Sequence, residues 1–184
     1  MSWTLVHLAS KPPVAWRNGG GVTRELLAWP SPLDWRVRMS VAEVAANGPF
    51  SSFSGVRRWF AVLAGKGVRL TVGDEPHDLT THSVPFEFDG GAAAHCELLD
   101  GPTRDFNLML RQGQARVERV AAPRSFHCRS ATLVAAYAAG PAATLVCDGQ
   151  WQELAQNTLA WRILDSDGQL ELIATEALWM EIVP

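Results

Sequence analysis

The chain has 184 residues, of which 47% are hydrophobic and 19% charged, and its formal net charge is −3. That length suits a single globular domain with a sizeable core, and the slightly acidic balance excludes bulk electrostatic attraction to nucleic acid. Cys96, Cys128 and Cys147 show no paired spacing, which predicts a reduced, cytoplasmic protein without a disulfide framework; no segment reads as a leader peptide or a membrane span, so no membrane partner is expected.

Gly and Pro recur at short intervals, and the segments between them are rich in Val, Leu, Thr and Trp. That pattern predicts many short strands. Residues 35–44 are the clearest case. Alternation puts Trp35, Val37, Met39 and Val41 on one face, and Arg36, Arg38, Ser40 and Ala42 on the other. Asn47-Gly48-Pro49 reads as a turn. Strands are predicted at 59–63 and 68–72 around Gly65-Lys66-Gly67, with a further turn at Gly73-Asp74-Glu75-Pro76. Strands at 85–88 and 94–99 flank Asp89-Gly90-Gly91, and 105–110 follows Asp100-Gly101-Pro102.

The remainder repeats the style. Strands are predicted at 131–138 and 142–146, and the Asp148-Gly149 hairpin leads to Trp151. Strands at 158–164 and 169–174 flank Asp165-Ser166-Asp167-Gly168, and 178–183 closes the chain. Helix is confined to single turns at 42–46 or 175–177. Short strands at this spacing predict an all-β sandwich, jelly roll or barrel. One domain spans 1–184, with Ala121-Ala122-Pro123-Arg124 as the candidate boundary between halves 1–120 and 121–184.

Four segments carry a resemblance. They are Trp16-Arg17-Asn18-Gly19-Gly20-Gly21-Val22-Thr23-Arg24-Glu25; Arg38-Met39-Ser40-Val41-Ala42-Glu43-Val44 running into Gly48-Pro49-Phe50-Ser51-Ser52-Phe53-Ser54-Gly55; Phe86-Glu87-Phe88-Asp89-Gly90; and Asp105-Phe106-Asn107-Leu108-Met109-Leu110-Arg111. In this order and spacing they resemble the HutD/Ves family. Two departures, Ser54 in place of a common Pro and Val37 in place of a usual Trp, remove no polar candidate. The resemblance implies a double cupin (bicupin, an RmlC-like jelly roll) with two barrel-like halves. It also implies a link to bacterial histidine utilisation, through handling or sensing of an intermediate such as formylglutamate.

Cupins often hold a divalent metal through a His-x-His pair, a nearby Glu and a later His. Residues 50–58 contain no histidine, and His7, His77, His82, His95 and His127 lack ligand spacing. No metal or other cofactor is therefore expected, and the histidines read as surface loop residues. There is no Gly-x-Ser-x-Gly elbow and no catalytic cysteine signature. Cys96 and Cys128 read as small buried hydrophobes. Gly19-Gly20-Gly21 lacks the Gly-Lys-Ser/Thr of a phosphate loop, and reads as a tight turn that brings Asn18 to a barrel mouth.

The positive signal is polar residues in strands. The first 129 residues hold fifteen of the sixteen Lys and Arg, and all but Lys11 and Lys66 of those are Arg. An anion site therefore belongs in that part of the chain, since Arg presents a planar fork to carboxylates. In the functional reading, Arg38 and Arg58 grip a carboxylate while Ser40, Asn18 and Asn107 orient it. Trp16, Phe50, Glu25 and Asp105 complete the candidate ligand-binding set. In the structural reading, Arg38 pairs with Asp105 or Glu25, and Asn18 and Asn107 cap loops. Three functions are open: a binding protein for a small anionic metabolite, accessory or regulatory to histidine utilisation; a metal-independent cupin isomerase or hydrolase with Glu25 or Asp105 as general base beside Arg38; and a protein-interaction module, with a homodimer as the assembly to consider.

Overall fold

The computed structural model describes residues 2–183. Among them are nineteen strands and one short helical turn, Leu8–Ser10. Strand β1 is Thr4–His7. It is followed by β2 (Val14–Ala15), β3 (Gly21–Trp29), β4 (Val37–Val44), β5 (Gly48–Pro49), β6 (Arg57–Ala64), β7 (Val68–Val72), β8 (Glu75–Leu79), β9 (Phe86–Asp89), β10 (Ala94–Leu98) and β11 (Thr103–Leu110). The rest are β12 (Gln114–Val120), β13 (Arg124–Cys128), β14 (Leu133–Ala138), β15 (Ala142–Cys147), β16 (Gln150–Ala155), β17 (Thr158–Ile163), β18 (Gly168–Ala174) and β19 (Ala177–Val183). The chain divides into two units: Lys11–Gln112, and Gly113–Pro184 together with Met1–Ser10.

The Lys11–Gln112 unit has two antiparallel sheets, ordered β2-β3-β4-β11-β6-β9 and β5-β10-β7-β8. Ala42, Val44, Phe60, Val62, Leu70 and Cys96 belong to its core. Burying a Phe such as Phe60 stabilises a fold by roughly 1.5–3 kcal/mol. On β6, Phe60 and Val62 alternate with Trp59, Ala61 and Leu63, and all five are buried. A strand buried on both faces reads as a continuous apolar run, which is why 59–63 was legible.

In the other unit the sheets run β1-β17-β14-β19-β12 and β13-β18-β15-β16. Its core is filled. Trp179 stacks on Phe126 with ring centroids 4.3 Å apart. Opposite Trp179 in the β14–β19 register stands Ala136, whose small side chain makes room for the indole.

Several strands escaped the sequence reading. β3, β8, β12, β13 and β16 carry mixed polar and apolar residues, and sheet pairing rather than local pattern holds them. Gly48-Pro49, read as a turn, forms the short strand β5, and Glu75-Pro76 open β8. Neither expected helical turn exists: Ala42–Val44 end β4, and residues 175–176 are a bend. The histidines are also corrected, since only His82 lies in a loop. His7, His77, His95 and His127 sit in strands; His7 Nδ1 meets Thr158 Oγ1 at 2.9 Å, and the His77 ring packs tilted against Phe86 with centroids 4.2 Å apart.

The Gly-rich loop ahead of β3 works through close approach. Gly19 has φ +71°, the left-handed region that favours glycine. A Cβ on Gly21 would lie 2.4 Å from the Glu43 carbonyl oxygen and 3.3 Å from the Trp16 ring. Gly21→Ala is therefore expected to lower stability by about 1–3 kcal/mol, because backbone rather than a pliable side chain blocks the methyl. Chemical denaturation of the variant checks this; an unchanged midpoint would show that β3 and β4 can separate freely.

Candidate functional site

The inward face of β3, β4, β11 and β6 carries three consecutive rows of side chains. In one, Arg38 faces Met109, which faces Arg58. In the next, Glu25 faces Ser40, Ser40 faces Asn107, and Asn107 faces Phe60. The third holds Thr23, Ala42, Asp105 and Val62. Strand alternation makes each residue share a face with those two positions away, so the polar set follows from period-2 spacing on four neighbouring strands.

A cavity of about 390 Å³ opens over this face. Eight of the nine predicted residues line it: Trp16, Asn18, Glu25, Arg38, Ser40, Phe50, Arg58 and Asn107. Asp105 is the exception. It is fully buried and absent from the lining, in the row between Ala42 and Val62. Thr103 Oγ1 donates to its Oδ2 at 2.7 Å, while Oδ1 has no partner. Burial pushes its carboxyl up to about 7, against the lowering effect of the Thr103 hydrogen bond. It is no ligand contact and has no path to act as a base there. Arg36, expected on the same face as Arg38, precedes β4 and is exposed.

The two arginines differ in kind. Arg38 Nε donates to Glu25 Oε2 at 2.6 Å, with the side chains 27% and 38% exposed. That is the structural pairing foreseen for Arg38, with Glu25 rather than Asp105 as partner. Arg58 is only 5% exposed. Its Nη2 donates to Asn107 Oδ1 at 2.9 Å and its Nη1 to the Ser51 carbonyl at 3.3 Å, and Nε finds no partner. The rings of Phe88, Phe50 and Phe53 surround it at 5.0, 5.4 and 5.8 Å. Desolvation, reinforced by the positive charge of Arg38, lowers its pKa to about 10, which leaves it charged at neutral pH. No carboxylate among the described residues pairs with it.

The other polar candidates divide. Asn18 Oδ1 accepts from the Gly20 amide at 3.0 Å, so it does cap its loop while facing the cavity. Asn107 is held by Arg58 rather than by a loop. Trp16 Nε1 donates to Thr23 Oγ1 at 2.8 Å, which leaves the indole an apolar wall set edge-on to Phe50. Val14, Thr23, Ala42, Pro49, Ser51, Phe53 and Met109 also line the cavity and were not foreseen. Alternation did contain Met109, two residues beyond Asn107, and Thr23, two before Glu25. Val14 carried no signal at all.

A divalent metal does not fit this lining. It contains one carboxylate, Glu25, no histidine and two guanidiniums. Among the described residues no group of three or more His, Cys, Asp or Glu is arranged to hold a metal ion. No helix among them is long and apolar enough to cross a membrane.

Comparison with known proteins places the fold and the family. The chain is 35% identical over 169 residues to Protein Ves of Cronobacter sakazakii, covering 87% of this chain and 92% of that protein. It is 38% identical over 109 residues to an uncharacterised 21.2 kDa protein of the hutC 3' region of Pseudomonas putida, covering 57% of this chain and 56% of that one. HutD from Pseudomonas fluorescens SBW25 superposes with a TM-score of 0.87 at 25% identity, over 98% of each chain. Oxalate decarboxylase from Bacillus subtilis aligns with a TM-score of 0.66 at 10% identity over 99% of this chain and 77% of that one, a likeness of cupin fold alone. The HutD family model matches residues 8–180, and with that span of agreement this all-β, double-cupin chain belongs to the HutD family.

Proposed function

We propose that the protein binds a small anionic metabolite in the β3–β4–β11–β6 cavity and serves histidine utilisation in an accessory or regulatory role. One observation carries the reading: Arg58 is a buried guanidinium with hydrogen-bond partners but no carboxylate partner among the described residues. An uncompensated buried charge is expensive, and an incoming carboxylate supplies what the fold withholds. The link to histidine utilisation is supported by membership of the HutD family and by the likeness to a protein of a hutC 3' region. The free cysteines suit a cytoplasmic setting. General-base catalysis has less support, since Asp105 is sealed from the cavity and Glu25 Oε2 is committed to Arg38.

A thermal-shift screen tests the reading. It covers formylglutamate, other acids of histidine breakdown, and simple aliphatic and aromatic acids. At a concentration of about 100 Kd a true ligand adds roughly 2.7 kcal/mol of apparent stability. We expect at least one acid to raise the melting temperature by several degrees, and Arg38→Ala to show a smaller rise. If no acid raises it, the anion-binding reading falls.

A further inference from the structure

We propose that Asn107 sets the charge of the anion site: a neutral amide there fixes the Arg58 guanidinium without neutralising it, and keeps its own N–H for the bound carboxylate. This rests on the anion-binding reading and names the residue that keeps that site open. A guanidinium has N–H donors and no acceptor, so burial obliges the fold to supply oxygens. Arg58 receives two: Asn107 Oδ1 at 2.9 Å from Nη2, and the Ser51 carbonyl at 3.3 Å from Nη1. Both are uncharged dipoles. They hold the fork in place and leave its full positive charge in the cavity wall, on a residue 5% exposed.

Acids stand close by in the sheet, but not at this position. In the register row Glu25–Ser40–Asn107, Glu25 is two strands away from Asn107 and bound to Arg38. On β11, Asp105 shares the face of Asn107 but accepts from Thr103. Asn107→Asp would keep the shape of the side chain and its acceptor oxygen. It would also close an ion pair with Arg58 inside the fold, which an incoming carboxylate would have to displace.

The amide has a second use. Arginine only donates, so Oδ1 must face Arg58 and Nδ2 turns away from it. Nδ2 has no hydrogen-bond partner among the described residues, and the side chain lines the cavity beside Ser40, its register partner. A carboxylate held by Arg58 therefore finds a neutral donor next to the cation. Asn107→Asp would set a like charge there instead, in a side chain only 6% exposed, where water screens it little.

The variants are Asn107→Asp, Asn107→Leu and, as a control for added charge, Asn47→Asp. Asn47 lies outside the lining, where its Oδ1 accepts from the Leu98 amide at 2.8 Å. Each is unfolded in urea and titrated with formylglutamate, with acetate, and with the acid that most stabilises the parent in the thermal-shift screen. We expect Asn107→Asp to weaken every acid that binds the parent by about 100-fold or more, with a urea midpoint equal to the parent's or higher. Asn107→Leu keeps the Arg58 charge but loses the acceptor and the Nδ2 donor. It should weaken binding by about tenfold and lower the midpoint. Asn47→Asp should bind as the parent does.

The order of the two Asn107 variants separates this role from a structural one. A residue that only supports the fold gives the reverse order in binding, because Asp keeps shape and acceptor while Leu keeps neither. Asn107→Asp binding as tightly as the parent, or more tightly than Asn107→Leu, therefore overturns the assignment to Asn107 and leaves the anion site standing. A midpoint for Asn107→Asp below that of Asn107→Leu overturns it too, since no internal ion pair has then formed. If no acid binds the parent, the anion-binding reading itself fails.

Discussion

Replacing Arg58 by Met should abolish the ligand-dependent rise in melting temperature and weaken carboxylate binding by at least about 100-fold, equivalent to about 2.7 kcal/mol. Arg58 is the one cavity cation with no carboxylate beside it, and it is 5% exposed, so its charge acts on a ligand with little screening by water. Truncating one partner of a desolvated charge pair typically costs 2–5 kcal/mol. Arg58→Lys should recover only part of the affinity. An ammonium keeps the charge, but it cannot serve Asn107, the Ser51 carbonyl and a ligand with the geometry of a planar fork. Isothermal titration with the best acid from the screen measures all three proteins. A Met variant that binds as tightly as the parent would remove Arg58 from the site.

Asp105→Asn should make the protein more stable than the parent at pH 8 and bring the two together below pH 4. The carboxyl is held up to about 7 in the folded chain, chiefly by burial, against an ordinary aspartate value of 3.8. Between those values the folded state keeps a proton that the unfolded state has released, so stability falls as pH rises. The loss is complete above the folded pKa and is on the order of 4 kcal/mol at most. Asn cannot ionise, and its carbonyl still accepts from Thr103 Oγ1, so the variant lacks this slope. Urea unfolding of both proteins from pH 4 to 8 measures it; parallel stability curves would show that Asp105 titrates normally. Because Asp105 does not line the cavity, its substitution should also spare acid binding at pH 6, which separates it from Arg58.

The resemblance and the alternation together reached most of the site. Arg38 with Ser40, and Asn107 with Met109, are paired by spacing alone, because residues two apart share a strand face. The same rule misled at Asp105. It shares a face with Asn107, yet depth is invisible to period 2: in its row Thr23 and Ala42 reach the cavity, while Asp105 and Val62 are buried and do not. Alternation also runs on paper to Arg36, which precedes the start of β4 at Val37 and is exposed. Strands such as β12, QARVERV, lack a clean apolar face, and only their pairing, here with β19, holds them extended.

By itself the sequence determined the all-β class, the family, and which side chains project together from each strand, because those depend on composition, motif and local period. The tertiary structure alone decided who neutralises whom. Arg38 meets Glu25 across 13 residues of chain and Arg58 meets Asn107 across 49, both through sheet register. Register is a property of strand pairing over long loops, which no window of sequence contains. That is why two arginines that look equivalent in the sequence emerge as one ion pair and one buried guanidinium with no carboxylate partner among the described residues.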